Sequence, residues 1–127
     1  MPVFNPLRNL SALRARLNQP AGLTVICYCA AWCDTCKEYE GRFEGLAAQW
    51  PEHVFIWIDI EDSPELLGDE DVENFPTVAI QGDAANLFFG ALQPHADHLE
   101  RLIRHAGGSM PDMAGGPPLL RTLLAAP

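Results

Sequence analysis

Basic residues are scarce in this sequence. The 127 residues include 8 Lys and Arg against 17 Asp and Glu, which gives a formal net charge of −9. Proteins that bind nucleic acids neutralise the phosphates with clustered Lys and Arg. The composition therefore argues against a nucleic-acid partner.

Long apolar runs are also lacking. No stretch reaches the ~20 apolar residues that a membrane-spanning helix needs, so we expect no membrane partner. Residues 1–22 contain no continuous apolar core of a secretory signal peptide, because Arg8, Arg14 and Arg16 interrupt the leucines. We therefore expect a cytoplasmic protein, in a reducing compartment where cysteines are mostly thiols.

The N-terminal segment allows a second interpretation. Three Arg and no acidic residue within the first 33 positions are also typical of a mitochondrial transit peptide. The leucines favour a helix of the domain instead, since their spacing puts them on one helical face: Leu7, Leu10, Leu13 and Leu17.

Four cysteines lie within ten positions: Cys27, Cys29, Cys33 and Cys36. A chain of this length with 48% hydrophobic residues can bury roughly two thirds of its surface, so folding does not require a disulfide. Cys33 follows the apolar run Leu23–Ala31 and comes directly before a helical pattern. The first turn of a helix has unpaired N–H groups and the positive end of the dipole, which stabilise a thiolate. A thiolate is the attacking species in disulfide exchange, and Cys36, one turn on, can release the product.

Apolar periodicity predicts alternating strands and helices. The predicted helices are Leu7–Asn18, Asp34–Gln49, a short helix from Pro64 capped by Ser63, and Pro94–Ala106. The predicted strands are Leu23–Ala30, Val54–Ile60 and a hairpin of Thr77–Gln81 with Asn86–Phe89. This order predicts an α/β fold, with a mixed central sheet flanked by helices on both faces.

The C-terminal segment differs in composition from the rest. We expect a domain over residues 1–106 and a tail over 107–127, because Gly/Pro-rich stretches surround a short Leu-rich segment, 119–124. A free helix that short is unstable in water. The Leu-rich segment is therefore either disordered or docked on an apolar surface, and we expect the domain to fold without the tail.

Several segments together resemble the thioredoxin family. They are Val25–Lys37 with its Trp-Cys-Asp-Thr-Cys-Lys motif, Asp59–Pro64, Phe75-Pro76-Thr77 and Phe89–Leu92, and the resemblance covers residues 7–106. It implies a thioredoxin fold and a thiol–disulfide oxidoreductase active in cell redox homeostasis, in which Cys33 attacks and Cys36 resolves. The implied substrates are protein or peptide disulfides, the electron donor is a reductase or a small thiol, and no organic cofactor is implied.

The resemblance also implies a substrate groove. The Phe75–Pro76 bond would be cis and would face the cysteines, and Phe75 would pair with an extended substrate by strand addition. The groove would be lined by Trp32, Phe75, Pro76 and Gly90.

The sequence departs from the family at the residues around the cysteine pair. Asp34 and Thr35 stand where the family commonly has Gly-Pro, and Cys29 stands where an aromatic residue is common. Cys27 and Trp57 replace a buried Asp and a Lys, so the family's proton relay for the resolving thiol is missing. An adaptor with a thioredoxin fold and little redox turnover is therefore the alternative function.

Cys27 and Cys29 share one face of their strand, because side chains alternate with period 2. They are either small buried apolar residues, or one of them lies close enough to Cys36 to exchange with it. A zinc or iron–sulfur site is disfavoured, because a strand and a helix start do not easily turn four thiolates onto one ion; we expect no metal. We predict a Cys33–Cys36 disulfide in the oxidised protein, with Cys27 and Cys29 as thiols.

Overall fold

A mixed sheet forms the centre of the molecule. The computed structural model describes residues 3–6, 9–17, 22–30, 33–62, 64–66, 76–82, 85–91, 96–106, 112–113, 115–117 and 119–120. The strands in this part are β1 (Val3–Phe4), β2 (Thr24–Cys29), β3 (Val54–Asp59), β4 (Thr77–Gln81) and β5 (Asn86–Ala91). The helices are α1 (Leu10–Leu17), α2 (Asp34–Gln49) and α3 (Ala96–Ala106), with a 3₁₀ turn at Pro64–Leu66.

Strand β2 occupies the middle of the sheet, whose order is β1-β3-β2-β4-β5. β2 pairs with β3 in parallel and with β4 antiparallel, while β1 joins β3 in parallel and β5 closes the β4–β5 hairpin. Every residue of β2 is buried, as its continuous apolar sequence predicts for a central strand. The parallel β2–β3 pair requires a crossover, which α2 provides.

Alternation along the strands divides the core between the two faces of the sheet. Val25, Cys27 and Cys29 belong to the cluster that packs with α2 and α3. Ile26 and Tyr28 belong to the opposite cluster, which α1 and the 3₁₀ turn complete. The predicted α/β fold with helices on both faces is confirmed.

Most element bounds agree with the sequence pattern. α2 spans Asp34–Gln49 as predicted, because four apolar side chains at helical spacing are buried: Cys36, Tyr39, Phe43 and Leu46. α1 is shorter than predicted and buries Leu13 and Leu17, whereas Leu7 lies outside the described residues. The sequence missed β1, which is too short for a period to show. No helix within the described ranges has the length and apolar character to cross a bilayer.

Part of the C-terminal segment docks on the end of the β4–β5 hairpin. The Asn86 side-chain amide donates to the carbonyls of Gly115 (3.0 Å) and Pro117 (2.8 Å), and its Oδ1 accepts from Gln81 Nε2 at 2.9 Å. Gln81 Oε1 in turn accepts the backbone N–H of Leu120 at 3.0 Å. Two buried amide side chains thus obtain partners from the C-terminal segment, which buried polar groups require.

A glycine is required where this segment passes Asn86. Gly116 has φ +94°, a backbone conformation that residues with a Cβ rarely adopt. A Cβ there would lie 2.9 Å from Asn86 Nδ2. The composition of the Gly-Gly sequence is typical of a linker. In the structure it forms the turn that brings the chain onto the hairpin.

Leu120 is fully buried and belongs to the cluster that contains Leu13, Leu17 and Ala79. The Leu-rich segment therefore docks on its own chain at this residue, one of the two alternatives that the sequence left open. The expectation that the domain folds without the tail stays a prediction, and Leu120 is the residue whose removal would leave a cavity in the core.

We predict that Leu120→Ala lowers the free energy of unfolding by about 2–5 kcal/mol, the range for removing a buried leucine side chain. Urea denaturation followed by circular dichroism measures the change. Leu119→Ala is the matched control, because Leu119 is only half-buried and should cost less. Equal and small losses for the two variants would contradict the docking of Leu120.

His53 holds the start of β3 against the start of β2. The backbone N–H of Leu23 donates to His53 Nδ1 at 2.9 Å, so the ring must be neutral at that nitrogen. Burial lowers the pKa of His53, Glu52 opposes this shift, and Arg16 adds to it. A side chain at Gly22 would collide with the imidazole.

This contact predicts a pH dependence of stability. The folded-state pKa of His53 lies below its unfolded value of 6.5, so the unfolded chain binds the proton first. The stabilising contribution is complete above pH 6.5 and is lost as the pH falls from there to the folded-state pKa. His53→Asn retains an acceptor and should remove this part of the slope. Thermal denaturation between pH 5 and pH 8 measures how stability changes with pH. His98→Asn is the control, because His98 is exposed on α3. The same pH dependence in His53→Asn as in the wild type would refute the prediction.

Candidate active site

Cys33 is the N-cap residue of α2. Its backbone is extended (φ −89°, ψ 116°), its N–H donates to the Ala30 carbonyl at 3.0 Å, and its carbonyl accepts the Lys37 N–H at 3.2 Å. The side chain makes no capping hydrogen bond with the described residues and is half-buried. The thiol therefore lies at the positive end of a 16-residue helix, where it is partly accessible.

The charges beside Cys33 are solvated. Asp34, in the first turn of α2, lies 3.8 Å from Lys37 Nζ, and the two side chains are 95% and 66% exposed. Exposed ion pairs of this kind contribute little to stability. The opposite charges also offset one another, so the helix start keeps its favourable environment for an anion.

Cys36 points from α2 into the core and forms a disulfide with Cys29, at the end of β2. The two Cα atoms are 5.8 Å apart, inside the range that disulfides span. The prediction that Cys36 pairs with Cys33 and that Cys29 stays a thiol is wrong for this structure, in which Cys33 is free. A flat strand disfavours a bond between two of its own residues, but a bond from strand to helix needs no turn in the strand.

Cys27 remains a thiol, as predicted, although its Sγ lies 3.7 Å from Cys29 Sγ. It is completely buried. Burial, and secondarily the charge of Glu40, raises the pKa of the Cys27 thiol well above its ordinary value. Cys27 is therefore protonated and a poor nucleophile near neutral pH.

The interior beneath the cysteines is built from aromatic rings. Trp57 is the register partner of Cys27 and lies 5.8 Å from the Phe43 ring, which also contacts Phe55 at 5.4 Å. Tyr39 packs in the same cluster, and its hydroxyl has no hydrogen-bond partner among the described residues. Burial is the main cause that raises the pKa of Tyr39, so the phenol stays protonated. The layer around Cys27 and Trp57 is therefore apolar.

Two of the predicted groove residues are described. Pro76 is buried and directly precedes β4, and the β2–β4 register extended by one residue puts it opposite Cys29. Gly90 is half-buried on β5 and pairs with Val78, which in turn pairs with Cys27. Trp32 and Phe75 lie outside the described residues.

Metal ligation finds no support in the part of the chain that the structure describes. No three His, Cys, Asp or Glu side chains converge there as an ion would require. His98 and His105 are exposed on α3.

Cys29 is the site residue whose bond the sequence did not predict, although it left open that Cys27 or Cys29 lies close enough to Cys36 to exchange with it. The available signal was its position: it is the last residue of β2, the closest of the strand cysteines to the start of α2. A one-dimensional pattern shows that Cys29 and Cys27 share a face, but it does not show which helix residue lies above them.

The sequence profile described as Thioredoxin matches residues 7–104. Among curated relatives, the thioredoxin of Ophiophagus hannah is 34% identical over 70 residues, which are 54% of this chain and 67% of the relative. Thioredoxin H2-2 of Oryza sativa subsp. japonica is 31% identical over 91 residues, covering 70% of this chain and 66% of that protein. The chain thus spans about two thirds of the length of these relatives.

Solved structures share the fold. The thioredoxin NaTrxh of Nicotiana alata superposes with a TM-score of 0.68 at 20% identity, covering 84% of this chain and 93% of that one. The profile match covers most of the sequence and identifies the relationship, and the half-exposed cysteine at the helix start agrees with it. The chain belongs to the thioredoxin family.

Proposed function

We propose that this protein reduces or exchanges disulfides of proteins or peptides, with Cys33 as the attacking thiol and Cys36 as the resolving thiol. The observation that carries the proposal is the half-exposed, free Cys33 at the N-cap of α2, with the disulfide-bonded Cys36 three residues further along the chain. Free N–H groups at the helix start stabilise the thiolate that attacks.

The reaction has two exchange steps. The Cys33 thiolate attacks one sulfur of the substrate disulfide, and the other substrate sulfur leaves as a thiolate. Cys36, when it is itself a thiol, then attacks Cys33 Sγ, so a Cys33–Cys36 disulfide forms and the second substrate sulfur leaves. Two electrons pass from the protein to the substrate, and a reductase or a small thiol returns them.

The proposed substrate groove lies at the end of the sheet where β2 finishes at Cys29. Pro76 lacks an N–H that could hydrogen-bond to a sulfur, and Gly90 lacks a side chain that would fill the surface. Trp32 and Phe75 complete this groove in our proposal, with the Phe75 backbone pairing with an extended substrate. A reducing compartment, the cytoplasm, suits a protein with free thiols at Cys27 and Cys33.

We predict that Cys33→Ser abolishes the reduction of a model protein disulfide, because a serine hydroxyl does not ionise near neutral pH. Cys36→Ser should instead react once and stop as a mixed disulfide on Cys33. Insulin reduction in the presence of dithiothreitol measures turnover. For the adduct, the reduced Cys36→Ser protein is freed of dithiothreitol and mixed with insulin, and mass spectrometry of the denatured protein detects the mixed disulfide.

Cys27→Ala is the matched control, since Cys27 is buried and protonated, and it should retain turnover. Normal turnover by Cys33→Ser would reject the assignment of the nucleophile. Absence of turnover in the wild type, with partner proteins still bound, would identify the adaptor function instead.

A further inference from the structure

We infer that Cys29 is a third redox residue. Cys29 and Cys33 alternate as the disulfide partner of Cys36, so the oxidised protein interconverts between a buried Cys29–Cys36 disulfide and a Cys33–Cys36 disulfide. This inference rests on the proposed role of Cys33 as the attacking thiol. It adds a reacting sulfur that the two-cysteine mechanism does not contain.

The first observation is that Cys36 is bonded to one cysteine and has a second cysteine close by in the chain. Cys29 is bonded to it, with the Cα atoms 5.8 Å apart. Cys33, the N-cap residue of α2, comes three residues before Cys36, the spacing of the predicted Cys33–Cys36 pair. Cys33 also packs against the cluster that contains Cys29 and Cys36. Only one of the two partners can be bonded to Cys36 at a time, so they compete for it.

The second observation is the difference in exposure between the two disulfides. Cys29 and Cys36 are each 1% exposed, so an external thiol has almost no access to the bond between them. Cys33 is half-buried and reachable from solvent. Reduction of the buried disulfide from outside therefore requires a carrier, and Cys33 is the thiol in position to be that carrier.

The exchange conserves atoms and electrons. The Cys33 thiolate attacks Cys36 Sγ, the Cys29–Cys36 bond breaks, and the Cys33–Cys36 bond forms. Cys29 leaves as a thiolate and takes up a proton. No oxidant is consumed, because one disulfide replaces another; an external thiol or reductase then reduces the Cys33–Cys36 disulfide in the ordinary way.

Cys27 does not take part in this exchange, although it is the closest thiol to Cys29 at 3.7 Å. A bond between Cys27 and Cys29 would have to close within one flat strand, and the structure leaves these sulfurs unbonded. Cys27 is therefore the natural control: it has the same chemistry, strand and face as Cys29, but no bond to Cys36.

The first test locates the disulfide in the oxidised wild type. The protein is oxidised with diamide, its free thiols are alkylated with N-ethylmaleimide under acidic denaturing conditions, and it is digested with chymotrypsin. Cleavage after Tyr28, Trp32 and Tyr39 yields peptides 29–32 and 33–39. A Cys29–Cys36 bond joins the two peptides and leaves Cys33 alkylated, whereas a Cys33–Cys36 bond closes a loop within 33–39.

We expect the joined peptides in the wild type and in Cys27→Ala, and only the loop in Cys29→Ser. If the wild type contains only the loop, as Cys29→Ser does, the inference is overturned. This measurement is independent of substrate turnover, so failure of the proposed function leaves it intact.

The second test measures the carrier role of Cys33. We expect the Cys29–Cys36 disulfide of oxidised Cys33→Ser to be reduced by dithiothreitol at least tenfold more slowly than the disulfide of the wild type. The native protein is reduced and sampled over time. Alkylation of Cys29 and Cys36 in each sample under acidic denaturing conditions measures the fraction reduced. Equal rates would show that external thiols reach the buried bond directly and would overturn the exchange.

Discussion

The burial of β2 on both faces is the constraint on which the other elements depend. Its six residues pair with β3 on one side, the first five pair with β4 on the other, and helices cover both of its faces. The strand therefore cannot shift by one residue without exchanging its two apolar faces. Because β2 is fixed, its last residue, Cys29, is fixed, and so is the point five residues on where α2 begins.

The same constraint determines the environment of the sulfur atoms. Cys27 and Cys29 point toward α2 since Val25 does, and the helix face above them presents Cys36 and Tyr39. Aromatic and aliphatic side chains shield a disulfide in this layer from solvent, whereas a cysteine at the helix start is partly accessible to solvent. The helix thus connects an exposed sulfur to a buried one within a single turn.

The sequence predicts features that repeat along the chain, and it misses those that depend on a single contact. α2 was correctly bounded because its apolar residues recur at helical spacing over 16 positions, and the buried β2 was recognised from its unbroken apolar run. β1 has two residues and no period. The Cys29–Cys36 bond and the Asn86 contacts join residues whose proximity follows from packing, which no one-dimensional pattern contains.

The C-terminal segment and the cysteines occupy opposite ends as well as opposite faces of the sheet. Gln81, which holds Leu120, pairs with Thr24 at one end of β2, whereas Cys29 is at the other end. Four residue steps of strand lead from Thr77 to Gln81, a distance of about 13 Å. Free-energy changes at sites this far apart generally add. The attachment of the tail and the redox state of the cysteines are therefore thermodynamically uncoupled, so either region can change in sequence without retuning the other.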